Sequence, residues 1–241
     1  KEFPGFEEDL RFLVLTATGA RLIDSTQGRS LWKHDLEETA PAVRGGIFLD
    51  RNRQACRLLG VTTEGLFLWN KNHIFSLDLN SGRLLWRRPI PALREINESQ
   101  EIWIHAVSDG ESIVGVTDSR RLYHLNPNTG QIRWTIPDSG ILIDTPVIQS
   151  GKLLLGYSIP DKVEIRDLDD GRVSQSWELE GDVPGLASVP VFAPGGCLYA
   201  TEGGTVTFRA LDGSLLWERR MPFPISDLYL SADQRQVIAL L

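Results

Sequence analysis

Hydrophobic and polar residues alternate along most of this 241-residue chain with a period of two. From Ile74 to Leu79, the side chains of Phe75, Leu77 and Leu79 fall on one face, and those of Ile74, Ser76 and Asp78 on the other. That is the alternation of a half-buried strand and not of a helix. The stretch Leu77-Asp78-Leu79-Asn80-Ser81-Gly82-Arg83-Leu84-Leu85-Trp86 carries the pattern through a reversal. A strand ends in Asp, a tight turn closes on Gly, and a second strand carries Trp. The Asp side chain can accept hydrogen bonds from backbone N–H groups of the turn. Glycine supplies the positive φ where the chain turns back.

The unit recurs. Asp24 to Gly28 leads to Trp32, and Asn126 to Gly130 leads to Trp134. Asp167 to Gly171 leads to Trp177 with two extra residues before the Trp, and Asp212-Gly213 leads to Trp217 through a shortened turn. The five tryptophans are 54, 48, 43 and 40 residues apart, a period of the size that a four-stranded propeller blade requires, roughly 40–50 residues. The pattern predicts an all-β protein, a β-propeller of four-stranded antiparallel blades with five blades or five plus a partial sixth. A single domain over residues 1–241 is expected. Trp32, Trp86, Trp134, Trp177 and Trp217 are expected to be packing wedges between sheets, each burying on the order of 200 Å².

Strands are predicted at Phe12–Ala17, Arg21–Ser25 and Leu31–Leu36, a first unit that lacks a leading strand. The second unit has Cys56–Val61, Leu66–Asn70, His73–Leu79 and Leu84–Arg88, after an insertion that contains Ile47–Arg51. A charged linker over 93–98 precedes Ile102–Val107, Ser112–Val116, Leu122–Leu125 and Ile132–Ile136. The fourth unit is Thr145–Ile148, Lys152–Tyr157, Val163–Asp167 and Val173–Leu179. The fifth is Ser188–Val191, Cys197–Thr201, Val206–Ala210 and Leu215–Arg219. Ile225–Leu230 is expected to pair beside the strands at Phe12–Leu36, because a blade completed from both termini removes an exposed sheet edge. Val237–Leu241 is then a surplus strand: an extra outer strand, half of a sixth blade, or a sign that the propeller is larger.

The segments Leu77–Trp86 and Leu125–Trp134 resemble the tryptophan-docking repeat of the pyrroloquinoline-quinone (PQQ)-like β-propellers. That family includes the quinoprotein alcohol dehydrogenases and non-catalytic relatives of the BamB type. The resemblance covers nearly the whole chain and implies the fold. Its catalytic members are far longer, and typically place a vicinal disulfide over the quinone. This chain has no adjacent cysteines and no recognisable calcium-ligand set, so PQQ binding is not expected.

Composition narrows the rest. With 41% hydrophobic residues the chain can bury a core, and a formal net charge of −7 does not suit a general nucleic-acid or anionic-membrane surface. No run reaches the ~18 apolar residues of a membrane span. The chain opens at Lys1-Glu2-Phe3-Pro4, without Met and with an acidic lead-in. It reads as a mature form or as part of a longer chain, with its compartment open. Cys56 and Cys197 fall in different units and are expected as buried free thiols. Nucleophile-elbow, Cys-x-x-Cys, His-Glu-x-x-His and phosphate-loop patterns are absent from the sequence. The histidines His34, His73, His105 and His124 show no ligand spacing. Asp167–Gly171 shares its opening with a calcium loop, but it lacks the later oxygen ligands and reads as the repeat turn.

Two tryptophans stand outside the repeat position, Trp69 and Trp103. Trp103 and His105 alternate onto one face of a strand, so Trp69, Trp103 and His105 form the candidate platform for a protein or peptide partner; the alternative is packing between sheets. Arg87, Arg88, Arg94, Arg219 and Arg220 follow repeat tryptophans or flank a linker and read as solvated edge charges. The expected function is a non-catalytic interaction, scaffold or sensor propeller with a protein or peptide partner. The alternatives are a fragment of a propeller enzyme, quinoprotein-like or carbohydrate-active, and a BamB-like periplasmic assembly factor.

Overall fold

The computed structural model describes residues 11–16, 19–24, 27–35, 56–62, 65–70, 73–90, 101–179, 185–231 and 236–240. The acidic lead-in, the insertion at Ile47–Arg51 and the charged linker at 93–98 lie outside the described residues. The chain forms two compact units. One holds residues 1–91 together with the turn 127–130; the other holds 92–126 and 131–241.

In the first unit, β1 (Arg11–Thr16), β2 (Gly19–Asp24) and β3 (Ser30–Asp35) form a three-stranded antiparallel sheet. A four-stranded sheet follows, in the order β4 (Arg57–Val61), β5 (Gly65–Trp69), β6 (His73–Asp78), β7 (Leu84–Pro89). Ala20, Leu22 and Trp32 of the first sheet pack on Leu66, Leu68, Phe75 and Leu77 of the second.

In the second unit, β8 (Trp103–Ser108), β9 (Ile113–Thr117), β10 (Leu122–Leu125) and β11 (Ile132–Ile136) form the third sheet. The fourth is five-stranded: β12 (Ile141–Leu142) and β13 (Val147–Gln149) both pair with β14 (Lys152–Ile159), followed by β15 (Asp161–Asp167) and β16 (Val173–Glu178). The fifth runs β17 (Val191–Ala193), β18 (Gly196–Ala200), β19 (Thr205–Ala210), β20 (Leu215–Arg220). Finally, β21 (Asp227–Leu230) pairs with β22 (Val237–Leu240) in a sheet of two. This corrects the expectation that Ile225–Leu230 pairs beside the first strands. The local hairpin closes a loop of a few residues, and short closures cost less chain entropy than distant ones.

The repeat turns have the predicted chemistry. Asp78 accepts the Ser81 N–H on its carboxylate at 2.7 Å, and its carbonyl accepts the Gly82 N–H at 2.9 Å. Each returning strand then carries a bulge. In the pairing of the last two strands, Leu31, Leu85, Arg133, Ser174 and Leu216 are the extra residues. A bulge re-aims the side chain beside it, and here that side chain is Trp32, Trp86, Trp134, Gln175 or Trp217.

What the bulge aims at is the turn of the following sheet. Trp32 donates its indole N–H to the Leu79 carbonyl at 2.9 Å, Trp86 to Pro127 at 2.6 Å and Trp134 to Leu168 at 2.8 Å. In each case the acceptor lies three residues before the turn glycine, and the indole covers that glycine. A Cβ built on Gly82 would stand 2.5 Å from the Trp32 ring; on Gly130 it would stand 2.5 Å from the Trp86 ring, and on Gly171 3.1 Å from that of Trp134. Arg88 adds a third contact by donating from Nε to the Gly130 carbonyl at 2.7 Å, so it is a structural clamp and not a solvated edge charge. The fourth sheet departs from the rule. Its two extra residues place Gln175 where the other sheets have Trp, with the amide against Gly213, while Trp177 stands two residues on under the Arg209 guanidinium.

Glu164 and His124 are among the buried polar residues of the second unit. Glu164 on β15 accepts from Tyr157 Oη (2.9 Å), Lys162 Nζ (2.5 Å) and Arg166 Nε (3.0 Å). Burial pushes this carboxyl up, but the Lys162 hydrogen bond and the Arg166 charge outweigh it and hold the group below the usual carboxylate range. His124 on β10 is fully buried against Trp134, with ring centroids 5.1 Å apart, and neither ring nitrogen has a partner among the described residues. Burial, then the Arg133 charge, lowers it to about 4, although Asp109 and Asp169 act in the other direction.

Two outcomes follow. Gly130→Ala is expected to cost about 2–4 kcal/mol in urea denaturation, because strain at positive φ adds to overpacking on the indole. Gly151→Ala, with a similar φ of 71° and open space around it, should cost only about 1 kcal/mol; equal losses would remove the indole from the account. The second concerns pH. A histidine whose folded pKa lies below its unfolded value withdraws stability as pH falls from about 6.5 towards 4. His73 is likewise lowered to about 4, by burial and then by Arg87. His124→Phe should therefore remove part of that decline, on the order of 1–3 kcal/mol; an unchanged slope would show that His124 is not its source.

Candidate interaction surface

The three residues singled out from the sequence fall in two units, Trp69 in the first and Trp103 and His105 in the second. Trp69 closes β5 in the first unit. It is 4% exposed, and the Arg57 guanidinium lies 5.4 Å from its ring centre. Trp103 opens β8 in the second unit. It is fully buried, meets Tyr123 edge-on at 5.3 Å, and its indole N–H has no partner among the described residues. His105 is half-buried two residues further along. Trp103 pairs with Thr117, but His105 pairs with Val116. Ile104 is therefore an extra, bulged residue, and neighbouring partners on β9 point to opposite faces. The expectation that Trp103 and His105 share a face is thus corrected: the indole turns inward and the imidazole towards the fourth sheet.

There His105 Nδ1 lies 3.0 Å from Thr145 Oγ1 and 3.5 Å from the exposed Asp144 carboxylate. Asp144 accepts the Thr145 backbone N–H at 2.5 Å, which fixes the carboxylate beside the ring. The extruded Ile104, the residue before His105 in the chain, is 37% exposed. An apolar residue beside a half-buried imidazole and a held carboxylate suits contact with a protein surface, where apolar centres are rimmed by polar groups.

Sequence reasoning missed the polar cluster where β8 begins and β9 ends. Glu101 accepts from Thr117 Oγ1 at 2.5 Å and from Ser119 Oγ, and Arg121 approaches its other oxygen at 3.5 Å. The alternation Thr117, Ser119, Arg121 was a visible signal. Its carboxylate partner, sixteen residues earlier, was not.

The remaining reactive groups serve packing. Cys56 and Cys197 are free, and burial pushes each thiol up to about 12, far from the thiolate state that nucleophilic chemistry needs. Asp167 is ion-paired with Lys152, and its carbonyl closes the turn on the Gly171 N–H at 2.9 Å. Among the described residues, no three His, Cys, Asp or Glu side chains are grouped to hold a metal ion, and no helix is long and apolar enough to cross a membrane.

Comparison with known proteins places these sheets. Residues 70–233 match the profile of the PQQ-like family described as outer membrane protein assembly factor BamB. The curated BamB proteins of Salmonella typhimurium and Escherichia coli are each 25% identical over 75% of this chain. The matched part is 42% of their own length, so the chain spans less than half of these relatives. Among solved structures, the computationally designed Ika8 protein superposes over 98% of this chain and 66% of its own, with a TM-score of 0.66 at 12% identity, a likeness of fold alone. With sheets of four antiparallel strands, a tryptophan docked on the next turn, and a family match over most of its length, the chain is a β-propeller and belongs to the PQQ-like repeat family of the outer membrane protein assembly factor BamB.

Proposed function

We propose that this chain is a non-catalytic interaction propeller that binds a protein partner, as an assembly factor or scaffold of the BamB kind, with no quinone cofactor. The observation that carries the reading is the match over residues 70–233 to a family named for an assembly factor. The burial of the groups otherwise suited to chemistry supports it. His124, Glu164 and both thiols lie within the packing of the sheets, and the repeat tryptophans are used for cohesion.

The contact surface proposed is the bulge of β8 and the segment facing it: Ile104, His105, Asp144 and Thr145. Binding runs through the apolar Ile104 side chain, with the imidazole and carboxylate as the polar rim. Trp103 supports this surface from within the third sheet.

Two measurements test the proposal. A photocrosslinking amino acid at position 104, introduced in cells of the source organism, is expected to give one discrete adduct with an outer-membrane assembly protein. Asp144→Ala should weaken that adduct without changing the melting temperature. A folded protein that gives no adduct, or a smear of unrelated ones, overturns the surface. Incubation with PQQ and calcium followed by gel filtration should leave the protein without quinone absorbance; stoichiometric retention would replace this reading with a quinoprotein one.

A further inference from the structure

Each side chain aimed by a bulge has a partner directly across the last two strands, on the same face of the sheet. Trp32 stands opposite Leu22, Trp86 opposite Ser76, Gln175 opposite Ile165 and Trp217 opposite Phe208. Trp134 stands opposite His124. Leucine, isoleucine and phenylalanine all fill this seat, so packing does not require an imidazole there. In the third sheet the seat brings a titratable ring into the contact that joins this sheet to the fourth.

The seat is not built to hold a charge. His124 is fully buried, and neither ring nitrogen has a hydrogen-bond partner among the described residues. Val114, its neighbour on β9, is buried and apolar. Leu168, whose carbonyl holds the Trp134 indole, packs in one cluster with Val114 and with Leu153 of β14. Three charges act on the ring. Arg133 on β11 opposes protonation, while Asp109 in the turn after β8 and Asp169 in the turn after β15 favour it; burial, then Arg133, prevails, and the pKa falls to about 4. An imidazolium carries two N–H donors. In this seat both would be buried without an acceptor, which costs far more than burying the neutral ring.

The way from the seat to water leads past Trp134. β11 is the outer strand of its sheet and pairs with β10 alone. Trp134 is half-buried. Swinging it outward breaks its hydrogen bond to Leu168 and uncovers Gly171, but leaves the strand pairing of both sheets in place.

We propose that His124 makes the junction of the third and fourth sheets an acid-released latch, in which the imidazole takes up a proton only when Trp134 leaves the Leu168 carbonyl and the Gly171 turn. Proton uptake and opening are then one event, and acid drives both. This junction opens ahead of the one closed by Trp32, where Leu22 fills the seat and binds no proton. What it uncovers is the apolar seam of Leu122, Leu168 and Trp134. The latch is independent of the β8 surface and of any partner.

Hydrogen exchange of the indole N–H groups tests it. In the intact protein carrying isotope-labelled tryptophan, the Trp134 and Trp32 signals are followed by NMR at about pH 7.5 and about pH 4.5, each corrected for the intrinsic exchange rate. A ring whose pKa returns from about 4 to 6.5 on release raises the opening equilibrium at Trp134 on the order of fiftyfold over this interval. Protection at Trp32 is expected to stay nearly unchanged. His124→Leu and His124→Phe put into the seat the residue types of the first and fifth sheets, and should keep Trp134 protected in acid. Equal loss of protection at Trp134 and Trp32 would mean unfolding of the whole chain, and overturns the latch. So does a Trp134 that stays protected in acid, or one that still opens in a folded His124 variant. The comparison of the two indoles within the wild-type protein holds even where a variant fails to fold.

Discussion

The docking of an indole on the glycine of the next turn is the contact on which the rest of the structure depends. It imposes two demands on one residue. The turn needs a positive φ, and the indole needs a Cα without a side chain. Glycine meets both, and at Gly82 and Gly130 even a methyl group would run into the ring. The hydrogen bond from the indole to the carbonyl three residues earlier then fixes where along the turn the ring sits. A turn built with another residue would lose its backbone conformation and its neighbour together. The bulge before each tryptophan belongs to the same device, since without it the alternation of the strand would present a different residue to the turn.

Sheets that share this device differ in what surrounds it. Between the third and fourth sheets the ring is flanked by His124, a buried imidazole without hydrogen bonds among the described residues. Within the fourth, buried charge is held by Lys162, Tyr157 and Arg166 around Glu164. A satisfied buried network specifies its site, whereas an unsatisfied buried group costs stability. The Gln175 amide shows that the docking position tolerates a planar polar group when the turn opposite is the shortened one at Gly213.

Much of this was legible in the sequence. Alternation and Asx–Gly turns located nearly every strand to within one or two residues, because both signals are local: side-chain period and backbone conformation. The family resemblance rested on the same residues. What escaped was set by pairing rather than by pattern. Nothing in Trp103-Ile104-His105 marks Ile104 for extrusion; only its pairing with Thr117 and Val116 does. The two-residue strand β12 is too short to show a period. Arg88 has the sequence character of an edge charge, and only the neighbouring turn gives its guanidinium a carbonyl to bind. Glu101 lies sixteen residues from the hydroxyls that hold it. The candidate residues Trp69, Trp103 and His105 were chosen by type and spacing, which cannot report which way a side chain turns after a bulge.

The run of bulged residues has a consequence of its own. Leu31, Leu85 and Leu216 are extruded so that the residue after each can reach across, and they stay 39%, 43% and 50% exposed as a result. At these three places an exposed apolar side chain accompanies the aiming of the next residue. A surface survey of such a molecule that scores leucine exposure alone would be drawn to places that give mechanical leverage. In the third sheet the same place is held by Arg133, so charge is compatible with it, and exchanging these leucines for polar residues would raise solubility while leaving the scaffold intact.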